Sequence, residues 1–274
     1  MFDWNPGVLS GIEISGCRLE ATCYGPSPAD APTVVLLHEG LGCIDLWRSF
    51  PESLSNNCEC GVFVWSRAGY GASSPTPLPR PLNYMSIEAT DVLPRVLDAA
   101  KIDKCILLGH SDGASIAAIN AGSCADKRVR GLVLIAPHFF TEAEALTSIS
   151  QAREKFSEGG LRTQLAKYHK DVDNAFYGWC DAWLDAKFKS WDISENIDYV
   201  RVPVLAIQGA DDQYGTLAQL EVLEERCYAP VETLILPDCK HSPHLEIPHT
   251  VVEVVSDFAA RLSIQESTTG LATK

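Results

Sequence analysis

The sequence is short of positive charge. Among 274 residues, 22 lysines and arginines stand against 36 aspartates and glutamates, a formal net charge of −14. A nucleic-acid backbone or an anionic membrane surface is held by a basic face, so neither partner is expected. Long apolar runs are missing too. Stretches such as 34–37 and 132–136 are strand-sized, against the ~20 residues that cross a bilayer. The opening MFDWNPGVLSGIEISG has neither the basic region nor the apolar core of a secretory signal, and the expectation is a cytoplasmic protein. The ten cysteines form no CxxC pair, and only Cys58 and Cys60 are close together, so no metal site is expected. Reduced thiols are the reading for such a chain, with disulfides the alternative that an even count leaves open. Neither repeats nor low-complexity tracts occur. With 46% hydrophobic and 21% charged residues, the composition excludes a disordered or fibrous chain.

The chain instead has short apolar runs alternating with helix-length amphipathic segments. Residues 12–24 read as one or two strands, and 33–37 (TVVLL), 61–66, 105–109 (CILLG), 131–136, 202–208 and 231–236 as one each. Helices are expected over 45–56, 84–100, 111–122, 215–226 and 248–262, and a Ser/Pro loop over 73–81. Strands alternating with helices predict an α/β fold, a mostly parallel central sheet with helices on both faces. Residues 140–199 break the rhythm. They carry helical patterns only, at 143–157, 161–169 and 172–188, and read as an insert between two late strands. The core is then 1–139 plus 200–262, followed by a polar tail over 263–274.

The sharpest local feature is Gly109-His110-Ser111-Asp112-Gly113, directly after a predicted strand and directly before a helix. A side chain at the tip of so tight a turn leaves room only for small flanking residues. Such a turn lifts a serine hydroxyl above the sheet and aims a helix N-terminus at the reacting centre, where a developing oxyanion is favoured.

A serine hydroxyl needs a base, and the base needs an orienting group. Both are expected beyond later strands, where the loops of a parallel sheet gather at its C-terminal edge. One such strand ends in Gly209-Ala210-Asp211-Asp212, the last in Asp238-Cys239-Lys240-His241. His241 is the best-placed base. His244 is its rival, with an orienting or packing role if Pro243 starts the final helix. His110 is expected to point into the fold, and His38, His138, His169 and His249 read as structural. Asp211 and Asp212 are both candidate acids, and the one not used would cap the following helix. Asp238 lies too near His241 in sequence.

With these motifs in order, the chain resembles the α/β-hydrolase superfamily over about residues 10–262. The matching pieces are His38-Glu39-Gly40-Leu41-Gly42, the segment from Ser66-Arg67-Ala68-Gly69 through Ser73, the Ser111 turn, Gly209-Ala210-Asp211-Asp212, and Lys240-His241-Ser242-Pro243-His244. The resemblance implies Ser111 as nucleophile, His241 as general base and Asp212 as orienting acid. It implies an oxyanion hole from the backbone N–H groups of Asp112 and Gly40, with Leu41 as the neighbouring candidate. The insert would be a helical cap. The family often has a small residue at Glu39, an aspartate at Ser66, a glycine at Lys240, and Met, Leu or Gln at Asp112.

Glu39 and Asp112 are read as solvent-facing or paired with Arg67. The alternative places acidic groups at a pocket mouth, where they would disfavour anionic substrates. Phe176, Tyr177, Trp179, Trp183, Phe188 and Trp191 are read as packing for the insert, some of them roofing an apolar pocket. Glu39, Leu41, His138, Trp179 and Trp183 are the candidate pocket residues. The implied activity is cofactor-free hydrolysis of a small-molecule carboxylic ester or lactone through an acyl-enzyme. The alternatives are a carbon–carbon bond hydrolase, an aminopeptidase, and a non-enzymatic ligand receptor on the same fold. A serine in the nucleophile position argues against dehalogenase and epoxide-hydrolase chemistry.

Overall fold

In the run Thr33–Leu37 all five residues are buried, which requires a strand covered on both faces. The computed structural model, which describes residues 2–124 and 126–271 with side chains through residue 263, places this strand near the middle of one eight-stranded sheet. The strands are β1 Ser10–Ile14, β2 Cys17–Tyr24, β3 Thr33–Leu37, β4 Gly61–Trp65, β5 Cys105–His110, β6 Val129–Ile135, β7 Val204–Gly209 and β8 Val231–Leu236. Their order is β1-β2-β4-β3-β5-β6-β7-β8. β1 and β2 run antiparallel to their neighbours, and all other pairs are parallel.

Successive strand residues point to opposite faces, and two cores result. Val34, Leu36, Val62 and Val64 pack beneath helices α1 (Phe50–Asn57) and α8 (Pro248–Leu271), against Phe50, Leu54, Val251 and Val255. Val35, Leu37, Phe63 and Trp65 face the other way, toward the helix spanning 84–100 (α2) and α3 (Asp112–Ser123).

Several boundaries differ from the sequence reading, each for a local reason. The run 12–24 is two strands, because Ser15 and Gly16 both take positive φ, 53° and 82°. The helix expected over 45–56 is a 3₁₀ turn, Ile44–Trp47, followed by α1. Arg48 breaks the chain at φ 53°, and Pro51 belongs in a first helical turn, not mid-helix. α8 runs to Leu271, well past residue 262, since neither Pro nor Gly occurs between 263 and 269. Residues 272–274 of the tail lie outside the described residues.

Residues 140–199 add no strand to the sheet. They hold α4 (Ala143–Ser157), α5 (Gly160–Leu165) and α6 (Val172–Trp183). The segment leaves and rejoins the body at one place, where Phe140 pairs with Asp192 and Ile193 N–H donates to Phe139 O at 2.7 Å. Phe156 and Phe176 stack at 3.7 Å, within the same hydrophobic cluster as Leu37 and Trp65 of the sheet. All ten cysteines are free thiols. Among the described residues no helix is long and apolar enough to cross a membrane.

Candidate active site

Ser111 sits between β5 and α3 at φ 54°, ψ −118°, a conformation a side-chain-bearing residue adopts only under local constraint. The constraint is visible in its flanks. A Cβ on Gly113 would stand 1.9 Å from Leu37 O, and one on Gly109 would stand 2.2 Å from Gly113 O. Ser111 N–H donates to Ile135 O at 2.9 Å, pinning the turn to β6. The residue is 7% exposed, and among the described residues its Oγ has no hydrogen-bond partner.

The structure brings Asp212 and His241 together. His241 Nδ1 lies 2.9 Å and 2.8 Å from the two carboxylate oxygens. Asp212 Oδ1 also accepts from Tyr214 N–H at 2.8 Å, and Oδ2 from Gln208 Nε2 at 2.7 Å. Burial raises the Asp212 carboxyl, but the His241 hydrogen bond and charge and the Tyr214 N–H outweigh it and hold the group below its ordinary range. His241 Nε2 has no hydrogen-bond partner among the described residues. Asp211 is exposed and caps no helix, contrary to expectation; α7 (Ala218–Arg226) has no side-chain cap from it. Asp238 is exposed as well.

The loop after β3 is held from beneath by Arg67, which follows β4. Its guanidinium donates to the carbonyls of His38 and, at 2.9 Å, Glu39. Its backbone N–H donates to His38 Nε2 at 3.0 Å, and His38 Nδ1–H in turn donates to Glu39 O at 2.7 Å. Burial and the Arg67 charge keep His38 neutral, its pKa well below the ordinary value. The Gly40 and Leu41 N–H groups donate to no other backbone group among the described residues. As the first residue of α3, Asp112 has an N–H without an intrahelical partner. Gly40 has no space for a side chain, since a Cβ there would stand 2.2 Å from Trp179 Nε1.

Two acidic residues depart from the sequence reading. Asp112 neither faces solvent nor pairs with Arg67. It is 1% exposed and accepts from the Tyr84 hydroxyl and, at 3.2 Å, from Trp183 Nε1. Burial raises its carboxyl pKa, with Arg67, Arg80 and these donors opposing. Glu39 does not pair with Arg67 either. Its carboxylate faces His110 Nδ1 at 3.5 Å. Burial raises this carboxyl, yet the adjacent His110 ring and Arg67 leave it below the ordinary value. His110 stays beside the site, donating from Nε2 to His241 O at 2.8 Å.

Trp183 also packs on His138, with ring centroids 5.4 Å apart, and His138 lies 5.8 Å from the His241 ring. His244 does not approach Asp212. It is buried against Trp47, Phe50 and His110. Leu41 is half-buried, its carbonyl accepting from His169 Nε2 at 3.0 Å.

Sequence reasoning missed the supporting residues. Glu246 clamps the His241 loop by accepting from Lys240 and Ser242 N–H at 3.0 Å each. Glu142 accepts from Thr216 Oγ1 at 2.6 Å and Gln219 Nε2 at 2.7 Å, tying the start of the insert to the region after the acid loop. Glu20 accepts from Ser66 Oγ at 2.5 Å, so a neighbouring strand supplies the carboxylate that Ser66 lacks. Only the departure at Ser66 hinted at the last of these.

A model of the alpha/beta hydrolase family matches residues 34–254. The chain belongs to that family. Among curated relatives, the alpha/beta hydrolase domain-containing protein aho-3 of Caenorhabditis elegans is 26% identical over 82% of this chain and 57% of its own length. The human alpha/beta hydrolase domain-containing protein 17B is 23% identical over 90% of this chain and 72% of its own. This α/β-hydrolase thus spans little more than half of the C. elegans relative. Solved structures share the fold. A membrane phospholipase A superposes with a TM-score of 0.77 at 17% identity, over 93% of this chain and 86% of that one. The enol-lactonase of Burkholderia xenovorans LB400 superposes with a TM-score of 0.72 at 19% identity, over 92% and 100%. Identities this low speak for the fold alone.

Proposed function

We propose that this α/β-hydrolase is a serine hydrolase of carboxylic esters or lactones. The observations that carry the reading are a hydrogen-bonded histidine–aspartate pair and a strained serine. Both Asp212 oxygens hold His241 Nδ1, and Ser111 stands at the head of α3 at φ 54°. The carboxylate fixes the tautomer that leaves Nε2 able to take a proton.

In this mechanism Ser111 Oγ attacks the substrate carbonyl while His241 Nε2 receives its proton. The hydroxyl–imidazole hydrogen bond forms as substrate binds, as it does in many sites that are loose when empty. Asp212 stabilises the imidazolium. The oxyanion is met by the N–H groups of Asp112 and Gly40, each donor worth ~10²–10³ in rate. His241 then protonates the leaving alkoxide, and a water activated by the same ring releases the acid. Residues 140–199 serve as a cap, with Trp179 and Trp183 as its face toward the site. The substrate is a small molecule, and no cofactor enters these steps.

Intact-mass spectrometry after fluorophosphonate treatment tests the reading. One adduct is expected on the native chain and none on Ser111→Ala, which should also lose ester turnover. Retained turnover in Ser111→Ala would overturn the mechanism. A panel of esters, lactones, aminoacyl amides and β-diketones then fixes the bond type.

A further inference from the structure

We propose that His138 determines specificity, its imidazole hydrogen-bonding an oxygen of the substrate, a hydroxyl or a carbonyl, on the portion lying over Ser111. The inference rests on the serine-hydrolase reading above.

His138 is 3% exposed. Its Nδ1 is buried without a partner, and neither ring nitrogen has a hydrogen bond among the described residues. A buried polar atom left unpaired is destabilising, so its place invites a partner. The other rings near the site are differently placed. His169 accepts from Gly71 N–H and bonds Leu41 O, and both nitrogens of His38 are engaged. His244 also has an unpaired Nδ1, but Trp47, Phe50 and His110 wall it in.

The position of His138 points at the reacting centre. Its ring packs against both the His241 ring, 5.8 Å away, and Trp183, 5.4 Å away, and the indole N–H of Trp183 reaches Asp112, the residue after the proposed nucleophile. It is also firmly placed. Ser115 Oγ donates to His138 O at 2.6 Å, and Phe139 N–H donates to Gln219 Oε1 at 2.7 Å. Gly215 lies against the ring's Nδ1 edge, where a Cβ would stand 3.1 Å from Cε1 and 3.4 Å from Nδ1.

Burial, reinforced by the His241 charge, pushes its pKa down to about 3. The ring therefore stays neutral and takes no part in proton transfer. A neutral imidazole offers one N–H and one lone pair. A substrate hydroxyl can use either, and a carbonyl uses the N–H. An apolar analogue leaves the nitrogen unpaired, and sites built to bond an oxygen reject such analogues strongly.

The test compares p-nitrophenyl butanoate with its 2-, 3- and 4-hydroxy derivatives by kcat/KM. The native protein should prefer one hydroxy ester at least tenfold, with most of the effect in KM. His138→Phe should reduce that preference to about twofold or less, and His138→Asn, which keeps a donor and an acceptor, should retain an intermediate value. Detectable fluorophosphonate labelling of Ser111 and thermal melts establish that both variants are folded with a reactive serine. No preference across the series, or an unchanged preference in His138→Phe, would overturn the proposal while labelling continues. Absence of both labelling and turnover in the native protein would overturn the parent reading, and the proposal with it.

Discussion

Trp183 Nε1 donates to Asp112 Oδ1 at 3.2 Å and to the Tyr84 hydroxyl at 3.1 Å. One turn earlier on α6, Trp179 covers Gly40. The two residues proposed to offer oxyanion N–H groups are thus each touched by a tryptophan of one helix, at the i, i+4 spacing that puts side chains on one face. Trp183→Phe keeps the ring bulk and removes the donor. Urea unfolding should show a loss of ~1–3 kcal/mol, the cost of a buried carboxylate short of one partner. In ester kinetics the same change should lower kcat more than it raises KM, because it disturbs the residue bearing an oxyanion donor.

The acid loop contains two aspartates with different surroundings. Asp212→Asn should lower kcat by ~10⁴, the scale seen when the orienting carboxylate of such a triad becomes an amide. Asp211→Asn, at an exposed residue, should stay within about twofold. A larger loss at Asp211 would transfer the role to it.

Stability should fall on mild acidification. An unfolded chain protonates a histidine near pH ~6.5, whereas folded His138 resists until about pH 3. The stability this ring contributes is complete above pH ~6.5 and is lost as pH falls, at ~1.4 kcal/mol per pH unit. His38 and His244, also held well below the ordinary value by burial, act in the same direction. Asp112 and Glu88, whose carboxyls burial raises, act in the opposite one. Urea midpoints at pH 7.5, 6 and 5 should decline, and His244→Phe should flatten the slope by about one proton. An identical slope in that variant would show that His244 titrates normally.

The Ser111 turn leaves no room for a side chain at its flanking glycines. Gly113→Ala sets a Cβ against the carbonyl oxygen of Leu37, a backbone atom that cannot rotate away. Fluorophosphonate labelling of Ser111 should be lost and the melting temperature should drop. Gly160→Ala, where a Cβ meets nothing within 4 Å, should leave labelling intact and raise stability by up to ~1 kcal/mol. Equal effects at the two sites would mean that the turn can relax.

Much of this architecture was legible in the chain because its signals are local. The strand Val231–Leu236 and the helix Ala143–Ser157 have the bounds their patterns indicate, and the glycines around Ser111 announce a tight turn by themselves. The partners of the acidic residues were not legible. Asp112 meets Tyr84 and Trp183 across 28 and 71 positions, and Ser66 meets Glu20 across 46. No periodicity or spacing encodes such pairs. They follow from which helices and strands the tertiary fold brings side by side. In the sequence Arg67 reads as a charge to neutralise a carboxylate, yet its guanidinium is taken up by the carbonyls of His38 and Glu39, a use that only backbone geometry reveals.

The sheet register carries a practical consequence. Leu37 pairs with Gly109, His110 with Ile135, Ile135 with Ile207, and Gly209 with Leu236. The Gly40 loop, the Ser111 turn, the His138 segment, the Asp212 loop and the His241 loop each leave one of these adjacent strand ends. A one-residue slip in any pair moves a loop by ~3.3 Å and turns its side chains to the opposite face. Under the proposed chemistry, reactivity of a single serine then serves as a folding gauge. During refolding, the rate at which Ser111 becomes reactive would time the locking of five strands, and a destabilised variant would lose reactivity in step with its sheet.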